Sequence, residues 1–253
     1  MIQALVSLLA LGVHTASAAP LSPASLQPVP FTFELTGVLS TDRTYLHSPG
    51  CTGEACSAIR RELWQGGEGS LWVIPQLGFY GGLAHVTEGT AAATYTGDGF
   101  RAQGGVKGGV ALSSALGLNG WASFTHTETN TTNTTKTASP TNTVDSSVPT
   151  TSDQARRNQL ELGAVLRAGQ SDGGIDGWVG VEAMPWCLDL TRVVQGDAKV
   201  ALKPFIPVSA VVGVRMFSDP LGGPWTKRGR VSVGVTGELG YRIGVTGWLT
   251  ASL

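Results

Sequence analysis

The chain has 253 residues, 42% of them hydrophobic and 14% charged, and its 17 Lys and Arg against 18 Asp and Glu leave a formal net charge of −1. So even a balance offers no field to steer or hold a nucleic acid. Beyond residue 18 there is no run of 18 uninterrupted apolar residues, so no transmembrane helix is expected, and the length suits one large β domain or two ordinary ones.

Residues 1–18, MIQALVSLLALGVHTASA, carry an apolar run from Ala4 to Val13 and end in the small residues Ala16-Ser17-Ala18. They predict a secretory signal peptide, although no Lys or Arg follows Met1. Residues 19–30, APLSPASLQPVP, are too proline-rich to pair in a sheet and predict a periplasmic tail ahead of a domain spanning 31–253. In the polar stretch SPGCTGEACS, Cys51 and Cys56 predict a disulfide closing a small loop, as suits an exported chain. A metal site there would need more ligands than the one nearby imidazole, His47. Cys187 reads as a small apolar residue on a strand.

From residue 31 onward the chain alternates with a period of two, the mark of strands with two chemically different faces. Ten strands are predicted, at about 31–41, 69–80, 83–96, 99–112, 116–127, 156–168, 175–190, 199–217, 225–235 and 239–253, with eight as the alternative count. Phe100, Val106 and Val110 share one face of the fourth strand, opposite Arg101, Gln103 and Lys107. In the sixth, Leu160, Leu162 and Leu166 oppose Arg157, Glu161 and Arg167. Pro185 marks a bulge that shifts the phase of the seventh. From Val231 to Leu253 every odd residue is apolar or glycine, with a fold-back predicted at Thr236-Gly237-Glu238. Short turns are expected at Gly81-Gly82, 113–115, 169–174 and 218–224 on one side, and long connections at 42–68, 128–155 and 191–198 on the other. The longest, 128–155, is a Thr/Asn-rich tract without apolar period and is expected to be an extracellular loop.

A soluble β-sandwich also alternates, but three features favour a barrel in lipid. The predicted strands are longer than the usual five or six residues, charge sits mid-strand on the non-apolar face, and loop lengths alternate between the two ends. The inward charges expected are Arg101, Lys107, Glu161, Arg167, Glu182, Lys203, Arg215, Glu238 and Arg242, joined by Glu34, Arg157, Lys199, Arg228 and Arg230. With ten positive groups against four carboxylates, the lumen is expected to be cationic and hydrated, so that Thr246→Arg, facing inward, is tolerated better than Val245→Arg, facing lipid. Phe124, Phe217, Trp225 and Tyr241 fall on the proposed lipid face near strand ends, and Trp248 inside the lumen.

Signal peptide, amphipathic antiparallel strands, alternating loop lengths and a last strand reaching Leu253 resemble the small bacterial outer-membrane β-barrel proteins. The resemblance is architectural and implies a closed, all-β antiparallel transmembrane barrel in the bacterial outer membrane. The terminal residue departs from it, since that family typically ends in an aromatic residue and this chain ends in Leu253.

Chemistry is sparse. His126 in FTHTETN loosely resembles the rim histidine of the lipid A deacylase barrels, yet the Ser-Asn expected after it is missing and its parity points outward, so it reads as a polar residue at the headgroups. Asp42, Asp98, Asp153 and Asp189 lie near strand ends without a grouping that the sequence defines, and His85 stands alone. QGGVKGG at 103–109 lies inside a strand and is no phosphate loop, and the sequons at Asn130 and Asn133 follow from a Thr/Asn-rich composition. The expected function is therefore non-enzymatic and without cofactor. It is a structural or scaffold barrel of an envelope assembly, such as a motility or transport complex, with a largely plugged lumen. Its expected partners are outer-membrane lipid and other envelope proteins. A narrow anion-leaning channel is the alternative, and a barrel-embedded hydrolase a distant third.

Overall fold

The computed structural model describes residues 31–47, 57–74, 76–90, 95–133, 151–169, 174–193, 196–200, 203–204, 208–217 and 230–252. The signal segment 1–18, the tail 19–30, Cys51, Cys56, Trp225, Arg228 and the centre of the 128–155 tract lie outside the described residues. So do the side chains of Asp153, Asp189, Lys199, Lys203, Phe217 and Arg230.

The described residues are almost all strand: β1 (Thr32–His47), β2 (Ser57–Ile74), β3 (Leu77–Thr90), β4 (Tyr95–Ala111), β5 (Leu116–Asn133), β6 (Thr151–Gly169), β7 (Gly174–Val193), β8 (Gly196–Val200), β9 (Lys203–Pro204), β10 (Val208–Phe217), β11 (Arg230–Gly240) and β12 (Arg242–Ser252). Each long strand pairs antiparallel with its neighbours, β7 pairs with β10, and β12 pairs with β1, so β1 to β7 and β10 to β12 close a ten-strand ring. Closure leaves no edge in the ring, and every ladder group inside it finds a partner. The sequence expectation of a closed antiparallel barrel, and of ten strands rather than eight, holds.

The faces are sorted opposite to a water-soluble protein. Among the described residues, 29 buried side chains are polar or charged and 13 apolar, while 30 large apolar side chains are exposed around the outside. Leu35, Phe79, Val106, Leu162, Val212 and Val245 sample that outer belt on six of the strands. An apolar surface continuous around a closed barrel with a polar interior belongs in lipid, which removes the sandwich alternative.

Several boundaries differ from the sequence expectation. Gly81 and Gly82 are not a turn. They lie mid-strand in β3, where Gly81 pairs with Gly69 and Gly104, and the reversal falls between the paired Ile74 and Leu77. Residues 57–68 belong to β2, and 128–133 and 151–155 extend β5 and β6, so the expected loops are partly strand. Where one strand was expected at 199–217, the described residues fall into three, β8 pairing with β7, β9 with β1, and β10 with β7 and β11. The C-terminal hairpin turns at Gly240-Tyr241-Arg242, between the pair Leu239 and Ile243, four residues beyond the expected place. The phase shift at Pro185 is present: Leu160 pairs with Trp186 but Leu162 with Ala183, so two residues of β7 oppose Glu161 and the buried face passes from Met184 to Cys187.

The partners of β1 and β7 change along the axis. On β1, Thr44 pairs with Arg242 of β12, but Leu46 and His47 pair with Pro204 and Lys203 of β9. On β7, Ala183 pairs with Val208 of β10, but Asp189 pairs with Val200 of β8. The β11–β12 hairpin thus stops short of this level, where β1 pairs instead with β9 and β7 with β8.

Candidate functional site

The candidate site is the lumen, built from the inward parity of every strand. Nine buried carboxylates line it: Glu34, Asp42, Glu62, Glu68, Glu88, Glu161, Asp176, Glu182 and Glu238. Six buried cations face them: Arg101, Lys107, Arg157, Arg167, Arg215 and Arg242. Among the described side chains the interior is therefore acidic, a correction to the expected cationic lumen. Glu62 and Glu68 fall in 42–68, expected as a connection, and Glu88 falls in 83–96, expected as a strand without an inward charge.

At the inner end, Lys107 Nζ donates to Ser70 Oγ at 2.7 Å and lies 3.6 Å from both Glu34 and Glu68. Trp72 Nε1 donates to Glu34 at 2.9 Å, and Gln103 donates to Glu68 at 3.0 Å. Nearby, Asp176 takes Arg167 on one oxygen and a two-pronged contact from Arg215 at 3.2 and 2.6 Å. Three carboxylates meet three cations here, and the groups neutralise one another within a dry layer.

Above this layer the lumen is filled by Val38, Trp121, Val165, Trp178, Val211 and Trp248, all buried in one apolar cluster. The indoles lie over glycines of the neighbouring strand. Trp121 pairs with Gly163, Trp178 with Gly213 and Trp248 with Gly234, and a Cβ on any of these glycines would enter the facing ring. Trp178 and Trp248 stack with centroids 6.1 Å apart, and Arg215 lies over Trp248. The expected placement of Trp248 inside is matched by four further inward indoles, Trp64, Trp72, Trp121 and Trp178. Their parity was readable, since Trp121 shares odd positions with Asn119, Ser123 and Thr125.

Toward the end that bears β8 and β9 the charges are unequal among the described side chains. Arg242 lies 2.6 Å from Glu161, 3.4 Å from Glu182, 3.5 Å from Glu238 and 3.9 Å from Asp42, one guanidinium among carboxylates of four other strands. Tyr241, expected on the lipid face, is buried and donates to Glu182 at 2.6 Å, because it sits in the turn itself, where strand parity does not apply. Arg101 stacks 3.4 Å over Trp64 and donates to Thr125 at 3.2 Å, with Glu161 at 3.7 Å. Arg157 pairs with Glu62 and lies 3.8 Å from Glu88. Six carboxylates here face three arginines.

The histidines stand on the other side of the wall. His85 Nε2 lies 2.7 Å from Asp98 and its Nδ1 3.1 Å from Gln65. His126 Nδ1 lies 2.8 Å from Asn158, with Glu128 at 3.7 Å and Phe100 beside the ring. Both point outward, at the outer margin of the apolar belt, and neither faces the lumen. Of the expected rim acids, Asp42 is instead a lumen residue and Asp98 is exposed outside. Among the described residues no cluster of three or more His, Cys, Asp or Glu is arranged to hold a metal ion.

The architecture is that of a bacterial outer-membrane β-barrel: a closed antiparallel ring, an apolar outer belt and a polar interior. No family model and no curated protein matches the chain. Among solved structures, the translocator domain of the autotransporter NalP from Neisseria meningitidis is similar at 9% identity and a TM-score of 0.49, over 87% of each chain. The outer-membrane protease OmpT from Escherichia coli is similar at 10% identity and a TM-score of 0.42, over 90% of this chain and 98% of the other. An outer-membrane channel from Pseudomonas putida F1 is similar at 11% identity and a TM-score of 0.39, over 92% and 98%. None of these likenesses brings an activity or a substrate to this chain.

Proposed function

We propose that the protein is a non-enzymatic structural component of the outer membrane. In this proposal it is a rigid, plugged barrel that presents its extramembrane segments to other proteins of an envelope assembly. The observation that carries this is the filled mid-lumen. Val38, Trp121, Val165, Trp178, Val211 and Trp248 are each no more than 9% exposed, so side chains occupy the space a solute would need. A ring of about this size is just filled by its own side chains, whereas open aqueous channels belong to barrels of about 16 strands or more. Mid-lumen, the packing is by side chains. Thr246, where an arginine was expected to be tolerated, is 2% exposed and donates to Ser40 at 2.8 Å.

The test is conductance across a planar bilayer. The purified chain is expected to give no current steps, while Trp178→Ala with Trp248→Ala opens measurable ones. Steps of uniform size from the unaltered chain would overturn the plug. Partners would be sought by crosslinking in intact cells, and recovery of the barrel with no reproducible envelope protein would count against the scaffold role. A second reading, a narrow path for small solutes, is favoured by one observation, the carboxylate excess, which makes any such path cation-leaning rather than anion-leaning. Reversal potentials in a salt gradient would show its sign.

A further inference from the structure

At the outer margin of the belt, Ile243, Arg43, Arg61 and Gly89 form one cross-strand row over β12, β1, β2 and β3. The row beneath holds Val245, Thr41, Leu63 and Thr87, with Val245 and Leu63 exposed to the acyl region. Arg43 and Arg61 are exposed and share the outward parity of Phe33 and Leu71 on their own strands. Directly opposed residues on one face sit about 5 Å apart, and like charges in that position repel.

The other charges on this face are paired. His85 meets Asp98, and Glu128 meets both His126 and Arg156. Arg43 and Arg61 have no ion-pair or hydrogen-bond partner among the described residues, and the nearest acid on that face of β4, Asp98, is taken by His85. A guanidinium pair at the depth where acyl chains give way to headgroups suits a shared anion. Two planar forks side by side match the oxygens of a phosphate.

We propose that Arg43 and Arg61 together bind the phosphate of a lipid headgroup, fixing one lipid against the β1–β2 wall. The proposal goes beyond the scaffold role and depends only on the barrel spanning a membrane.

The test is native mass spectrometry of the full, folded chain released from detergent with one of three probes: lipid A carrying its phosphates, the same lipid after enzymatic dephosphorylation, or inorganic phosphate alone. The phosphorylated lipid is expected to remain bound. Arg43→Gln or Arg61→Gln should weaken retention about fivefold, and the double variant about thirtyfold. Arg43→Lys with Arg61→Lys keeps the charge without the forks and should lose less than the double Gln variant. Heat-dependent gel mobility, read on each variant, reports separately whether the barrel itself is intact, and failure of the unaltered chain there would count against the membrane barrel rather than the lipid site. Retention by an intact double Gln variant equal to that of the unaltered chain would overturn the proposal. Equal retention of the dephosphorylated lipid would do the same, and binding of inorganic phosphate as tight as that of the lipid would reduce the pair to a plain anion site.

Discussion

The two halves of the lumen use the same residue types in opposite proportion. Below the tryptophan layer, Asp176 stands between Arg167 and Arg215, and Lys107 between Glu34 and Glu68, three charges of each sign. Above it, Arg242 lies among Asp42, Glu161, Glu182 and Glu238, with Arg101 also near Glu161, and the described side chains of this half hold twice as many carboxylates as cations. A balanced half can be dry and self-sufficient. An unbalanced half depends on each of its few cations, because removing one partner of a buried pair strands the other.

The strongest test of that difference is the loss of one cation in each half. Arg242→Met is expected to cost about 3–5 kcal/mol, measured by urea unfolding in vesicles and followed by tryptophan fluorescence. Arg215→Met leaves Arg167 on Asp176 and is expected to cost about half as much. Equal losses would erase the distinction between the halves. Next in size is the lipid face. Val245→Arg should cost about 2–4 kcal/mol by placing a charge in the bilayer. A spin label at Ile243 or Val245 should contact lipid, and one at Thr246 should not; lipid contact at Thr246 would reverse the faces.

Smaller is the effect at the plug. Gly213→Val forces a side chain into the ring of Trp178 and should cost about 1–3 kcal/mol, with heat-modified gel mobility retained but shifted to lower temperature. The smallest effect sharpens the comparison most. Glu238→Gln removes one of four acids around Arg242 and should be within about 1 kcal/mol of neutral. Glu34→Gln takes a charge from Lys107 and weakens the Trp72 hydrogen bond, and should cost about 1–2 kcal/mol. If the two rank the other way, the outer acids are not in excess.

The fold was legible wherever one face of a strand meets lipid and the other the lumen, for there the alternation is strict, as from Val106 to Val110 or Leu160 to Leu166. It faded along β2. Arg61, Leu63 and Gln65 on one side and Glu62 and Trp64 on the other carry no apolar period, because the outward face there mixes polar and apolar side chains and the inward face holds an indole. Hence Glu62 and Glu88 were missed, and with them the carboxylate excess among the described side chains. Tyr241 was misplaced for a different reason: parity is a property of strands, and the turn began four residues later than glycine spacing suggested. Which carboxylates gather on Arg242 depends on cross-barrel distance, which local pattern does not encode.

The indole-over-glycine pairs have a consequence for assembly. A strand that slips by two residues keeps every apolar side chain facing lipid, so the belt alone does not distinguish it from the correct partner. The pairs do distinguish it. A slip sets Trp121 against Glu161 or Val165 instead of Gly163, Trp178 against Val211 or Arg215 instead of Gly213, and Trp248 against Ser232 or Thr236 instead of Gly234. Each alternative puts a side chain where a ring must lie. Closure in the wrong frame is thereby blocked at three separate seams, and the glycines act as checkpoints for strand alignment while the barrel forms.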